Sequence, residues 1–126
     1  MFNFYSFYGT IKIASDRRLF SIMINYNKLV IKILYILWSL GFINGFSFVN
    51  FTGNKIVIYL KYFKGRSVLR GIYPVSKPGK RVYIGYKSLL KLTTGICGII
   101  STNKGIYTHQ LCISIRKGGE FLCIVY

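Results

Sequence analysis

Residues 29–49, LVIKILYILWSLGFINGFSFV, admit two readings that lead to different proteins. About 20 apolar residues suffice to cross a bilayer, so the run has to be tested as a membrane span. Lys32 lies inside it, and Gly41, Asn44 and Gly45 interrupt it. Lys28, Lys32, Tyr35 and Ser39 recur at i, i+4, i+7 and i+11, a single polar stripe on a helix. Leu29, Ile33, Ile36, Leu37 and Leu40 take the other side. The spacing predicts an amphipathic helix with Asn27 as N-cap and Gly41 as the glycine that ends it. After Gly41 the period changes to that of a strand containing Phe46 and Phe48. The rival from another class is a small basic organellar membrane protein with a single apolar helix at 29–49.

Outward from this stretch, residues 3–14 are expected to form a first helix and the apolar run 19–24 a strand that ends at Asn25. Downstream, Thr52-Gly53-Asn54 reads as a hairpin turn. Residues 55–62, KIVIYLKY, alternate: Ile56, Ile58, Leu60 and Tyr62 face one way, Val57, Tyr59 and Lys61 the other. Residues 63–66 form a basic break, and residues 68–73 are a further strand candidate. Both prolines fall in 74–80, PVSKPGK, which marks a boundary. Past it, 81–83 begins short strands, 86–92 is a short helix, and 96–100 and 120–126 are strands. The expected organisation is an N-terminal lobe over 1–73, a linker over 74–80 and a C-terminal lobe over 81–126.

The chain is 52% hydrophobic over 126 residues, enough for a packed interior. Eighteen Lys and Arg face two acids, Asp16 and Glu120, for a formal net charge of +16. Such a surface repels itself unless a polyanion neutralises it, and the cations are spread along the whole chain rather than clustered beside one apolar segment. That distribution points to nucleic acid before an anionic membrane. Catalysis finds no support. Two acids in different lobes cannot form a general acid–base pair, and His109, the only histidine, sits in no nucleophile motif such as GxSxG. Residues 95–98, GICG, lack the lysine and spacing of a phosphate loop. Cys97, Cys112 and Cys123 are an odd number without a CxxC pair, so they read as small buried hydrophobes rather than disulfides or zinc ligands. The chain is therefore not expected to be an enzyme, and no cofactor, metal or small-molecule substrate is expected.

RNA binding accounts for more residues together. Ser101, Thr102, Asn103, Lys104 and Gly105 place hydroxyls, an amide, a cation and a permissive glycine in one turn, the groups that meet sugar, base edge and phosphate. Taken alone, STNKG is an ordinary polar turn. Arg81 and Tyr83, two apart on an expected strand, put a cation beside a ring on one side.

The order of short motifs adds to this. STNKG, Ile106, Tyr107, Thr108, a gap of nine residues, then Gly118-Gly119-Glu120 and a closing Tyr126 resembles the universal small-subunit ribosomal protein eight family, whose bacterial members carry STSxGVMT, the same gap and GGE. Upstream, residues 77–83, KPGKRVY, look like the family's RPGxRVY, and residues 24–29, INYNKL, resemble its IPxSKLK. Residues 40–43, LGFI, resemble EEGFI, residues 60–62 its LKY, and residues 11–14, IKIA, its IRNA. Ile13 stands where the family has asparagine, Asn27 where it has serine, and Leu40 where an acid is usual. Residues 109–117, HQLCISIRK, lack the acidic start and the alanine usual there, which leaves their conformation open.

The resemblance implies an α+β fold: an N-terminal α/β lobe of two helices on a small three-stranded sheet, and a C-terminal β-rich lobe with short helices. It implies a structural constituent of the small ribosomal subunit that binds the central domain of small-subunit rRNA, supports assembly and translation, and touches neighbouring small-subunit ribosomal proteins without membrane insertion. Where motifs match, Ser101, Thr102, Asn103, Lys104, Gly105 and Thr108 are expected on an rRNA stem, flanked by Arg81 and Tyr83. Lys28 and Lys12 are expected on phosphate, and Glu120 as structural support of the turn. Plentiful Ile, Tyr, Phe, Asn and Lys, few acids and no recognisable targeting segment lead to the expectation of a mitochondrial ribosome in the matrix, with the protein encoded in the organelle.

Overall fold

The computed structural model describes residues 4–49, 55–76, 79–92 and 97–126. The turn expected at Thr52-Gly53-Asn54, and Lys77 and Pro78 of the expected linker, lie outside the described residues. Two units result, Met1–Gly71 and Ile72–Tyr126.

In the first unit, α1 (Phe4–Asp16) buries Phe7, Ile11 and Ala14 at i, i+4 and i+7 and exposes Lys12. β1 (Ser21–Asn25) follows, then α2 (Lys28–Ser39). Asn27 caps α2 as expected: its Oδ1 accepts the Leu29 N–H at 2.9 Å. The buried face of α2 is Val30, Ile33, Leu34 and Leu37, while Lys28, Lys32, Tyr35 and Ser39 are exposed. Leu40, placed on the apolar side by spacing, is exposed because it already lies in the cap that unwinds the helix. Among the described residues no helix is long and apolar enough to cross a membrane.

β2 (Ile43–Val49) and β3 (Lys55–Leu60) complete an antiparallel sheet in the order β1-β3-β2. Ile22 pairs with Ile58 and Ile24 with Ile56, so the alternation read in KIVIYL aligns four isoleucines on the buried face. α2 meets β2 partly through Tyr35 and Phe46, edge to face at 5.0 Å.

The basic break at 63–66 is a hairpin, β4 (Tyr62–Phe63) with β5 (Arg66–Ser67), turned by Lys64 and Gly65, both at positive φ. The strand expected over 68–73 is not formed. Leu69 is buried there with its carbonyl held by two hydroxyls, Ser15 Oγ at 2.9 Å and Ser67 Oγ at 2.7 Å. Only β6 (Ile72–Pro74) is extended, and it pairs with the second sheet. The division into units therefore falls ahead of the expected linker. Residues 75–76 continue that attachment through N–H bonds to the Leu122 carbonyl, and Ser76 Oγ donates to the Phe121 carbonyl at 2.7 Å.

The second unit adds β7 (Tyr83–Ile84), α3 (Tyr86–Leu89), β8 (Cys97–Thr102), β9 (Gly105–Thr108), α4 (His109–Ile115) and β10 (Gly119–Val125). β10 is central: it pairs with β8 on one side and with β6 and β7 on the other, and β8 pairs with β9. Leu89, Ile100 and Cys112 form a buried cluster beneath α3 and α4. The segment left open by the sequence, 109–117, is thus a helix over its first seven residues, capped by Thr108, whose hydroxyl accepts the Leu111 N–H at 3.3 Å.

α1, α2 and α4 end alike, each with the paired N–H to C=O bonds of a Schellman turn. After α2 the left-handed residue is Gly41, as expected. After α1 and α4 it is Arg18 (φ 55°) and Arg116 (φ 56°), at a cost of about 1–2 kcal/mol each relative to a residue without a Cβ.

Candidate nucleic-acid interface

The STNKG segment is the β8–β9 turn, and its own chemistry holds it closed. Thr102 Oγ1 donates to the Gly105 carbonyl at 2.8 Å and accepts the Lys104 N–H at 3.2 Å. Tyr107 Oη donates to the Lys104 carbonyl at 3.2 Å, and a Cβ on Gly105 (φ 145°) would stand 3.3 Å from that same hydroxyl oxygen. Thr102 and Thr108 therefore build the turn and the α4 cap. Ser101 Oγ and the Asn103 amide have no hydrogen-bond partner among the described residues, so they are the groups left to meet a ligand. Asn103 and Lys104 are exposed at the tip.

Strand register brings the other expected residues to this turn. Tyr83 on β7 is opposite Glu120 on β10, Glu120 is opposite Ser101 on β8, and Ser101 is opposite Ile106 on β9. Residues opposed in a ladder share a face, so Tyr83, Glu120 and Ser101 form one row. Tyr83 is 71% exposed. Arg81 is not on the strand as expected, because β7 starts at Tyr83. Its guanidinium nevertheless reaches the row, with Nη1 3.5 Å from Glu120 Oε1. The carboxylate is mostly covered and the guanidinium mostly exposed, so Glu120 steadies a cation that still faces solvent.

The row depends on two glycines, Gly118 and Gly119. A Cβ on Gly119 would overlap the Ser101 carbonyl, and one on Gly118 would overlap the Ile84 carbonyl. GGE is thus a backbone-to-backbone contact on both sides of β10, immediately before the residue that carries the carboxylate. A glycine pair at the head of a strand is the sequence signal for such an approach.

Lys12 on α1 and Lys28 at the first turn of α2 are exposed and belong to the first unit. Asp16 and Glu120 fall in different units, so no carboxylate pair is assembled within either.

His109 is buried, and its Nδ1 accepts the Gly98 N–H at 2.9 Å. That bond makes it a backbone anchor between α4 and β8. His109→Leu is expected to strand the Gly98 N–H and lower stability by about 1–3 kcal/mol in urea unfolding. Burial pushes the Cys97 and Cys112 thiols up, which keeps both protonated and unreactive near neutral pH. Among the described residues no group of three His, Cys, Asp or Glu could hold a metal ion.

The chain is similar to known proteins over most of its length. The family model described as Ribosomal protein S8 matches residues 6–126. The small ribosomal subunit protein uS8 of Rhizobium leguminosarum bv. trifolii is 40% identical over 119 residues, covering 92% of this chain and 90% of the relative. The proteins of the same description from Sinorhizobium medicae and Agrobacterium fabrum are each 39% identical with the same coverage.

Proposed function

Since this chain belongs to the ribosomal protein S8 family, we propose that it is a structural, non-catalytic component of a small ribosomal subunit that holds small-subunit rRNA and neighbouring small-subunit proteins. The β8–β9 turn meets an rRNA stem in the central domain, with Ser101 and Asn103 as readers of sugar and base edge and Lys104 as the phosphate contact. Thr102, Gly105 and Thr108 set the shape in which those groups are presented. Arg81 and Tyr83 flank the turn, and Glu120 supports it by steadying Arg81. Lys12 and Lys28 contribute phosphate contacts from the first unit. The observation that carries this reading is the row Tyr83–Glu120–Ser101, which collects residues distant in sequence beside the exposed tip of the turn.

The finer assignment is to a mitochondrial ribosome. It is supported by the bias toward Ile, Tyr, Phe, Asn and Lys and by the shortage of acids. The test is sucrose-gradient sedimentation of mitochondrial extract with RNA crosslinking. The protein is expected in the small-subunit peak, crosslinked to its rRNA through residues 101–105. Absence from that peak would overturn the assignment.

A further inference from the structure

A cleft of about 320 Å³ lies within the first unit between the end of α1 and β5, lined by Ser15, Asp16, Arg18, Arg66, Ser67 and Arg70. Three arginines and a single aspartate are among its lining residues. None of the three arginines forms a salt bridge with Asp16 or with any other carboxylate among the described residues. The cleft therefore carries an uncompensated positive charge.

Its walls are fastened to each other. Ser15 Oγ and Ser67 Oγ converge on the Leu69 carbonyl from α1 and β5, next to Arg70. Tyr62 Oη donates to the carbonyls of Ala14 and Leu19, which bracket the turn bearing Arg18. The segments carrying Arg18, Arg66 and Arg70 thus share one hydrogen-bonded frame. The choice of residues is equally pointed. Arg18 occupies a left-handed position where glycine or asparagine is at ease, and Lys64, beside Gly65 at the rim, does the same in the hairpin turn. Cations stand where conformation alone would select against them.

We propose that this cleft seats a backbone phosphate of RNA, a contact separate from the β8–β9 turn. A planar guanidinium fork matches two phosphate oxygens, and three arginines lining one cleft beside a single acid suit a phosphodiester better than a cation or an apolar group. The proposal rests on the RNA-binding reading above for its occupant, but not for the anion chemistry of the cleft.

Two measurements on the full chain test it. In the first, inorganic phosphate is titrated while the arginine Nε–H resonances are followed. Those of Arg18, Arg66 and Arg70 are expected to shift together; no shift overturns the seat. In the second, binding to a central-domain rRNA fragment is measured against salt. The double variant Arg66→Gln/Arg70→Gln is expected to flatten the slope of log affinity on log salt by about one unit. Arg66→Lys/Arg70→Lys should restore the slope yet bind several-fold more weakly, because the charge returns without the fork; its folding also controls for the Gln variant. An unchanged slope in the Gln variant, with phosphate still shifting the resonances, overturns RNA as the occupant in favour of free phosphate. Wild-type protein that fails to bind the fragment while phosphate shifts the resonances places the failure in the RNA reading and likewise removes RNA as the occupant.

Discussion

Gly119→Ala is expected to destabilise the second unit by about 3–5 kcal/mol, the upper range for a single substitution. The added methyl would lie far inside van der Waals contact with the Ser101 carbonyl oxygen. Both partners are backbone, so no side chain can rotate to relieve the overlap, and β10 has to leave β8 at the residue before Glu120. Against a typical net stability of about 5–15 kcal/mol, that is enough to melt a small unit or to displace its central strand. Gly118→Ala should act in the same direction against Ile84. Gly45→Ala is the internal control: a Cβ there meets nothing within 4 Å, and stability should stay within about 0.5 kcal/mol. The chain's one tryptophan, Trp38, lies on α2 in the first unit, so its fluorescence follows that unit while far-UV circular dichroism follows both. The dichroism transition of Gly119→Ala should fall to lower urea than the fluorescence transition. Superimposable wild-type and Gly119→Ala curves would show that β10 does not lie against β8 in this way.

Ser101→Ala together with Thr102→Ala should cost about ten- to a hundredfold in affinity for the cognate rRNA stem and far less for random RNA, at about 0.5–1.5 kcal/mol for each hydrogen bond lost. The two sites contribute differently. Ser101 Oγ has no partner among the described residues, so its removal leaves the fold alone and reports on recognition. Thr102 Oγ1 closes the turn through Gly105 and Lys104, so its removal also loosens the presentation of Asn103 and Lys104. Ser101→Ala by itself should accordingly leave the unfolding midpoint unchanged while reducing discrimination. Lys28→Gln is the contrast. It should weaken cognate and random RNA alike and flatten the salt dependence by about one unit, as expected of a phosphate contact. Equal loss on both RNAs in the serine–threonine variant would remove the turn from the list of specific readers.

Local signals were legible in the sequence where they matched local causes. α2 was readable because one cap, Asn27, and one polar stripe agree with its burial, and the first sheet because KIVIYL alternates without interruption. The β8–β9 turn was readable as a turn from STNKG, although which hydroxyls are spent on holding it closed depends on geometry. Residues 68–73 are strand-like in content, while the Leu69 carbonyl is held by Ser15, fifty-four positions before it, together with Ser67. α4 has no acidic residue in its first turn to mark its start. The usable signals were the cap at Thr108 and the return of apolar side chains at Leu111, Cys112 and Ile115. Arg18 and Arg116 were invisible as helix ends because the rule looks for glycine or asparagine there. The row across β7, β10 and β8 could not be read at all, since register between distant strands has no local imprint.

The central place of β10 has a consequence for the order of biosynthesis. Every other strand of its sheet emerges from the translating ribosome before it, and β6, β7 and β8 have no direct pairing with one another to hold them meanwhile. Until residues 119–125 are clear of the exit tunnel, the nascent second unit consists of unpaired edges and an unsupported hairpin. The first unit, whose three-stranded sheet and two helices are made by residue 60 and whose β4–β5 hairpin is made by residue 67, can close well before that. Nascent chains of increasing length should therefore acquire protease resistance in two steps, with the second unit gaining it only after β10 is out.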